Sequence, residues 1–166
     1  MRTDKVYLVG FMGAGKTTLA RALGARLDWR VEDVDERIET REGRAISSIF
    51  AREGEAYFRD VERQVLLDLR PLRHAVIATG GGTFADPENR ALINRDGLSV
   101  WLDVPLSSLI DRVPSDGRRP LAADRPRFEH LYQTRRAAYL QAHLRLDGEG
   151  AAVEALVEQL LDHLDD

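Results

Sequence analysis

The chain of 166 residues contains no cysteine, which excludes a disulfide frame and thiolate chemistry and is compatible with a reducing compartment. Its four His are scattered, so ligands for a structural zinc are scarce. No apolar run approaches membrane-spanning length, and the opening MRTDKVYLVG turns charged within five residues without the layout of a signal peptide. We therefore expect a cytoplasmic protein with no membrane partner. An excess of positive charge is missing as well: 24 basic residues face 28 acidic ones, for a net charge of -4. Without a basic field, nucleic-acid binding is not expected and a small molecule is the natural partner. Lysine itself is almost absent. Lys5 and Lys16 are the only two, and the remaining basic residues are Arg, so a single Arg is a weak signal while a well-placed Lys is a stronger one.

Short apolar runs alternate with amphipathic stretches. VYLVG (6–10), WRVED (29–33), AVIAT (75–79), SVWLD (99–103) and LRLDG (144–148) are strand-length, and most are bounded by turn residues. Between them Leu19, Leu23 and Leu27 recur every fourth residue, and Phe58, Val61, Val65 and Leu69 keep helical spacing. Asp86-Pro87-Glu88 reads as a capped helix start with proline at its first position, and Pro105 after WLDV reads the same way. Such alternation in a chain the size of one domain, 1–166, predicts an α/β fold: a parallel sheet with helices on both faces. The stretch 113–127, VPSDGRRPLAADRPR, has no apolar period and is expected to be an exposed, mobile loop.

Residues 10–18 read GFMGAGKTT and follow the first apolar run directly. They fit G-x-x-x-x-G-K-[ST] with Gly10, Gly15, Lys16 and Thr17, the pattern of a phosphate-binding loop. Small residues let consecutive backbone N–H groups curl around a phosphate, and the next helix presents its positive end. Lys16 would reach the β- and γ-phosphates, and the Thr17 hydroxyl would ligate Mg²⁺ directly. A chance match in this length is roughly one in a few hundred at ordinary residue frequencies, and a strand before it with a leucine-periodic helix after it reduces the chance further. We expect ATP to bind at Gly13, Ala14, Gly15, Lys16, Thr17 and Thr18.

Three further stretches stand where strands should end, the edge at which open parallel sheets bind ligands. In EDVDER, Asp33 and Asp35 alternate along an extended segment and can share one cleft; equally, Asp33 with Glu36 makes a helix-capping pattern. In AVIATGGGTF, Gly80, Gly81 and Gly82 either admit a ligand to the main chain or form a wide turn. In EAYFRDVE, Arg59 follows the apolar Phe58.

Taken in order and spacing, GFMGAGKTT, DVDERIE, GEAYFRDVE, ATGGGTF, RRPL and RRAAY resemble shikimate kinase, from about Val6 to Tyr139. That resemblance implies the three-layer P-loop fold of nucleoside monophosphate kinases, with a five-stranded parallel sheet flanked by helices and a flexible lid at about 113–127. It implies transfer of the γ-phosphoryl of ATP to the 3-hydroxyl of shikimate by a monomer, with Mg²⁺ as cofactor. Carried over by position, Asp35 would hold substrate hydroxyls and be the candidate base, and Asp33 would support Mg²⁺ through water. Arg59 and Arg135 would bind the shikimate carboxylate, and the backbone at Gly81 and Gly82 would contact the ring hydroxyls, within and beside a substrate-binding segment at about 33–62. Arg119 in RRPL would be the lid arginine closing on the phosphates. In RRAAY both Arg135 and Arg136 are available, and spacing to Tyr139 favours Arg135. Arg112 is the candidate on the adenine side.

Overall fold

The computed structural model describes residues 3–112 and 125–165. All five expected strands form: β1 (Lys5–Val9), β2 (Arg30–Asp33), β3 (Ala75–Ala78), β4 (Leu98–Asp103) and β5 (Leu144–Asp147). They make one parallel sheet in the order β2-β3-β1-β4-β5. β1 and β3 are buried along their whole length, which is why they read as continuous apolar runs with no alternation. The chain leaves β1 toward β2 and β3 on one side and returns for β4 and β5 on the other. Its C-terminal end is therefore the switch point, where a crevice opens.

The helices are α1 (Lys16–Leu27), α2 (Val34–Glu42), α3 (Ile46–Glu53), α4 (Glu55–Leu69), α5 (Pro87–Asp96), α6 (Leu106–Arg112), α7 (Arg125–Tyr139) and α8 (Val153–Asp165), with a 3-10 turn at Thr83–Ala85. α1 presents Leu19 and Leu23 to the core, and α4 presents Phe58, Val61, Val65 and Leu69, the spacing seen in the sequence. α5 begins as its sequence demands. The Asp86 carboxylate accepts from the N–H groups of Glu88 (2.8 Å) and Asn89 (3.1 Å), and Pro87 needs no acceptor.

The loop expected at 113–127 differs at its end. Arg125, Pro126 and Arg127 form the first turn of α7, because proline near a helix start gives up only an N–H that would be unpaired there. The rest of that stretch, Arg119 included, lies outside the described residues.

Candidate active site

The phosphate loop joins β1 to α1 at the switch point. Gly10, Gly13 and Gly15 take φ of 151°, 80° and 101°, conformations that a side chain would strain. At Gly10 the constraint is also steric, since a Cβ there would lie 2.8 Å from the Leu102 carbonyl oxygen of β4. Lys16 is 8% exposed and arches back over the loop, donating to the carbonyls of Gly10 (2.6 Å) and Phe11 (3.0 Å). From the end of α6, Arg112 donates to the carbonyls of Gly13 (3.3 Å) and Ala14 (3.2 Å), so it braces the loop itself. Thr18 is exposed on the first turn of α1.

Of the two readings of Asp33, the helix cap is the one that forms, and the second oxygen takes a further partner. Oδ1 accepts from the Glu36 N–H (3.1 Å) and caps α2, while Oδ2 accepts from the Thr17 hydroxyl (2.7 Å). Asp35, in contrast, is not on an extended segment. The strand ends at Asp33, the cap turns the chain at once, and Asp35 sits in the first turn of α2. There its carboxylate faces Gly80, the first residue of the glycine triplet.

Each glycine of that triplet makes room for a different side chain. A Cβ on Gly80 would lie 2.7 Å from Asp35 Oδ1; one on Gly81, 3.2 Å from Arg135 Nη1; one on Gly82, 2.5 Å from Arg59 Nη2. One loop thus brings together a carboxylate from α2, a guanidinium from α4 and a guanidinium from α7. Sequence spacing alone could not show this, since these side chains are separated by up to a hundred positions.

Arg59 is held by its own helix. It donates from Nη1 to both Glu62 oxygens (3.0 and 3.2 Å), approaches Glu55 at 3.6 Å and stacks on Phe58 at 5.1 Å. Glu62 was not singled out in the sequence, although F-R-x-x-E places it at i+3 from Arg59, on the same face. Its side chain is 1% exposed, and it also accepts from the Thr83 hydroxyl (2.9 Å), whose oxygen receives the Gly80 N–H (3.0 Å). Of the two adjacent arginines, Arg135 enters the site over the Phe11 ring (5.7 Å), while Arg136 stays exposed beside Trp101 (5.6 Å).

Burial, with the neighbouring Asp33 carboxylate second, pushes the Asp35 carboxyl up to about 6; Lys16 opposes the rise, and Glu62 and Glu39 add to it. The Arg135 guanidinium is lowered, mainly by burial and further by the like charge of Arg59, against an opposing contribution from Tyr139. Two guanidinium groups facing one loop present the fork geometry that matches a planar carboxylate. A phosphate-binding loop, a buried carboxyl and two guanidinium groups thus converge at one sheet edge, and that suits phosphoryl transfer to an acidic small molecule.

The family model described as shikimate kinase matches residues 12–165. The chain belongs to the shikimate kinase family. The shikimate kinase of Persephonella marina is 38% identical over 160 residues, covering 96% of this chain and 98% of its own. Among solved structures, the shikimate kinase of Aquifex aeolicus superposes with a TM-score of 0.88 at 35% identity, covering 97% of this chain and 96% of its own. That of Acinetobacter baumannii, in complex with shikimate, superposes at 0.91 with 34% identity, covering 98% and 93%. The fold of this chain is accordingly that of the P-loop shikimate kinases, and its activity is that of the family, ATP-dependent phosphorylation of a shikimate hydroxyl.

Proposed function

We propose that the residues assembled at the C-terminal edge of the sheet carry out the shikimate kinase reaction in the roles that follow. The observation that carries this reading is the glycine triplet with Asp35, Arg135 and Arg59 facing its three members in turn. Arg59 and Arg135 clamp the shikimate carboxylate from two helices, which defines both position and orientation of the ring. Main-chain groups at Gly81 and Gly82, which carry no side chains to keep the ring away, contact its hydroxyls.

The 3-hydroxyl oxygen attacks the γ-phosphorus of ATP, the bond from γ-phosphorus to the bridging oxygen breaks, and ADP leaves with that oxygen. Asp35 orients the hydroxyl and takes its proton. A loose transition state asks for positioning and charge neutralisation more than for a strong base, and a carboxyl held near 6 suffices. Lys16 neutralises charge on the transferring phosphoryl group, and Arg112 holds the loop that binds the remaining phosphates. Arg119, which the resemblance assigns to the phosphates, lies outside the described residues.

The residues present fit Mg²⁺. The Thr17 hydroxyl and Asp33 carboxylate lie side by side as hard oxygen donors, and among the described residues no cluster of three or more acidic or His ligands would hold a metal by itself. Thr17 would ligate the ion directly and Asp33 through water; when bound, it supplies further charge neutralisation at the phosphates. A cytoplasmic monomer acting on shikimate and ATP alone completes the reading.

The test is ADP release by the purified protein with Mg-ATP and shikimate, gluconate or no acceptor. Release that requires shikimate is expected. Arg59→Ala should raise the shikimate KM or abolish turnover with ATP binding near normal, and a comparable loss of ATP affinity would contradict the clamp.

A further inference from the structure

α7 contributes a second side chain to this site. Tyr139 lies four residues beyond Arg135, one turn along the same face, and its hydroxyl donates to the carbonyl of Gly81. The side chain is 1% exposed, and its ring packs on Trp101 with centroids 5.9 Å apart. Burial pushes the phenol above its usual range, so the hydroxyl stays a neutral donor at physiological pH.

A run of three glycines has little stiffness of its own. Here the loop is held on two sides. On one side the Gly80 N–H reaches Glu62 through the Thr83 hydroxyl, and Glu62 holds Arg59. On the other side Tyr139 holds the Gly81 carbonyl, and Arg135 of the same helix faces Gly81. The Gly81 carbonyl and the Gly82 N–H belong to one planar peptide, so pinning the first directs the second.

We propose that Tyr139 is a positioning residue for shikimate: by tying α7 to the glycine loop it sets the spacing of the Arg59 and Arg135 guanidinium groups, without touching the substrate itself. The inference rests on the reading of these two arginines as the carboxylate clamp.

Steady-state kinetics of Tyr139→Phe test it. The KM for shikimate should rise roughly five- to tenfold, the worth of one hydrogen bond, with kcat and the KM for ATP within about twofold of wild type. Trp101→Phe, which loosens the same packing but keeps the hydroxyl, should lower Tm and leave the shikimate KM unchanged. A Tyr139→Phe enzyme with lowered Tm and an unchanged shikimate KM would overturn the proposal, as would an equal rise in both KM values. Arg135→Ala, assayed in parallel, separates the two readings. If it raises the shikimate KM and Tyr139→Phe does not, only the positioning role fails; if neither does, the clamp fails with it. Should Tyr139→Phe not fold, proton NMR of the wild-type protein decides. A Tyr139 hydroxyl proton protected from exchange, whose resonance moves with shikimate but not with ATP, supports the role, and one in rapid exchange overturns it.

Discussion

The two ends of β1 each bury a lysine, and the two are held differently. Lys5, at the N-terminal end, is fully buried and spends its ammonium on the Leu69 carbonyl (2.6 Å), the Arg70 carbonyl (3.2 Å) and the Asp96 carboxylate. Asp96 also accepts from the Tyr7 hydroxyl (2.6 Å). Leu69 closes α4 and Asp96 closes α5, so one cation meets the carbonyl end of α4 and a side chain at the end of α5 and ties both helices to the sheet. Lys16, just past the C-terminal end, donates to carbonyls of a glycine-rich loop, and its field reaches across the site to oppose the rise of Asp35. Residue type and burial are nearly the same. What distinguishes the strut from the cation proposed for phosphoryl transfer is the acceptor: a carboxylate at a helix end in one case, a glycine-rich loop in the other.

Exchanging the ammonium for a thioether should expose the contrast most sharply at Lys16. Lys16→Met is expected to lower kcat by about 10³-fold or more, because transition-state charge loses a positioned counter-ion. Thermal melts should stay near wild type; a large drop in Tm would make Lys16 a strut as well and erase the contrast. Lys5→Met should do the reverse. Leaving Asp96 buried without its cation is expected to destabilise the fold by roughly 3–5 kcal/mol, while kcat of the folded protein, measured at low temperature, stays within about twofold. Adding Asp96→Asn should return part of that loss in urea unfolding.

Asp35 sharpens the comparison from the other sign of charge. Its carboxyl is raised from 3.8 to about 6, so the folded state holds the proton more tightly than the unfolded chain. The carboxylate form therefore opposes folding. Stability from this group is full below about pH 4, is lost as pH rises through about 6, and the penalty above that is on the order of 2–3 kcal/mol. Asp35→Asn should then be more stable than wild type at pH 7–8, with the gap closing toward pH 4. It should also lose roughly 10²-fold in kcat/KM together with the inflection near pH 6. A pH–rate profile and urea melts of both proteins at several pH values check this. The smallest effect is expected at Asp33→Ala, where loss of the α2 cap should cost about 1 kcal/mol and raise the Mg²⁺ needed for half-maximal rate.

Much of this was legible in the sequence, and the reason is locality. β1, β3 and β4 lie within a residue or so of their apolar runs because burial on both faces needs no partner to be recognised, whereas the edge strands β2 and β5 are only partly buried. The helix at Pro87 starts where Asp86 caps it, since cap and capped N–H groups are neighbours in the chain. The phosphate loop is nine consecutive residues. Expectations went astray where a local rule met a turn. Asp33 and Asp35 share a face only if the strand continues, and the cap on Asp33 ends it. Arg125 to Arg127 read as loop by composition, yet the helix reaches back over them. Between Arg135 and Arg136, spacing to Tyr139 favoured Arg135, and the packing of α7 on Phe11 and Trp101 brings that guanidinium to the glycine loop.

What the sequence determined by itself is therefore the strand-and-helix alternation, the phosphate cradle and, through motifs in order, the family. Tertiary structure decided the rest: that three consecutive glycines face Asp35, Arg135 and Arg59 in turn, that Glu62 and Thr83 join the loop to one arginine, and that Tyr139 joins it to the helix of the other. The physical reason is separation. Backbone conformation and capping act over a few residues, whereas Asp35, Arg59 and Arg135 come from distant segments, and the order β2-β3-β1-β4-β5 brings the strand ends beside them to one edge.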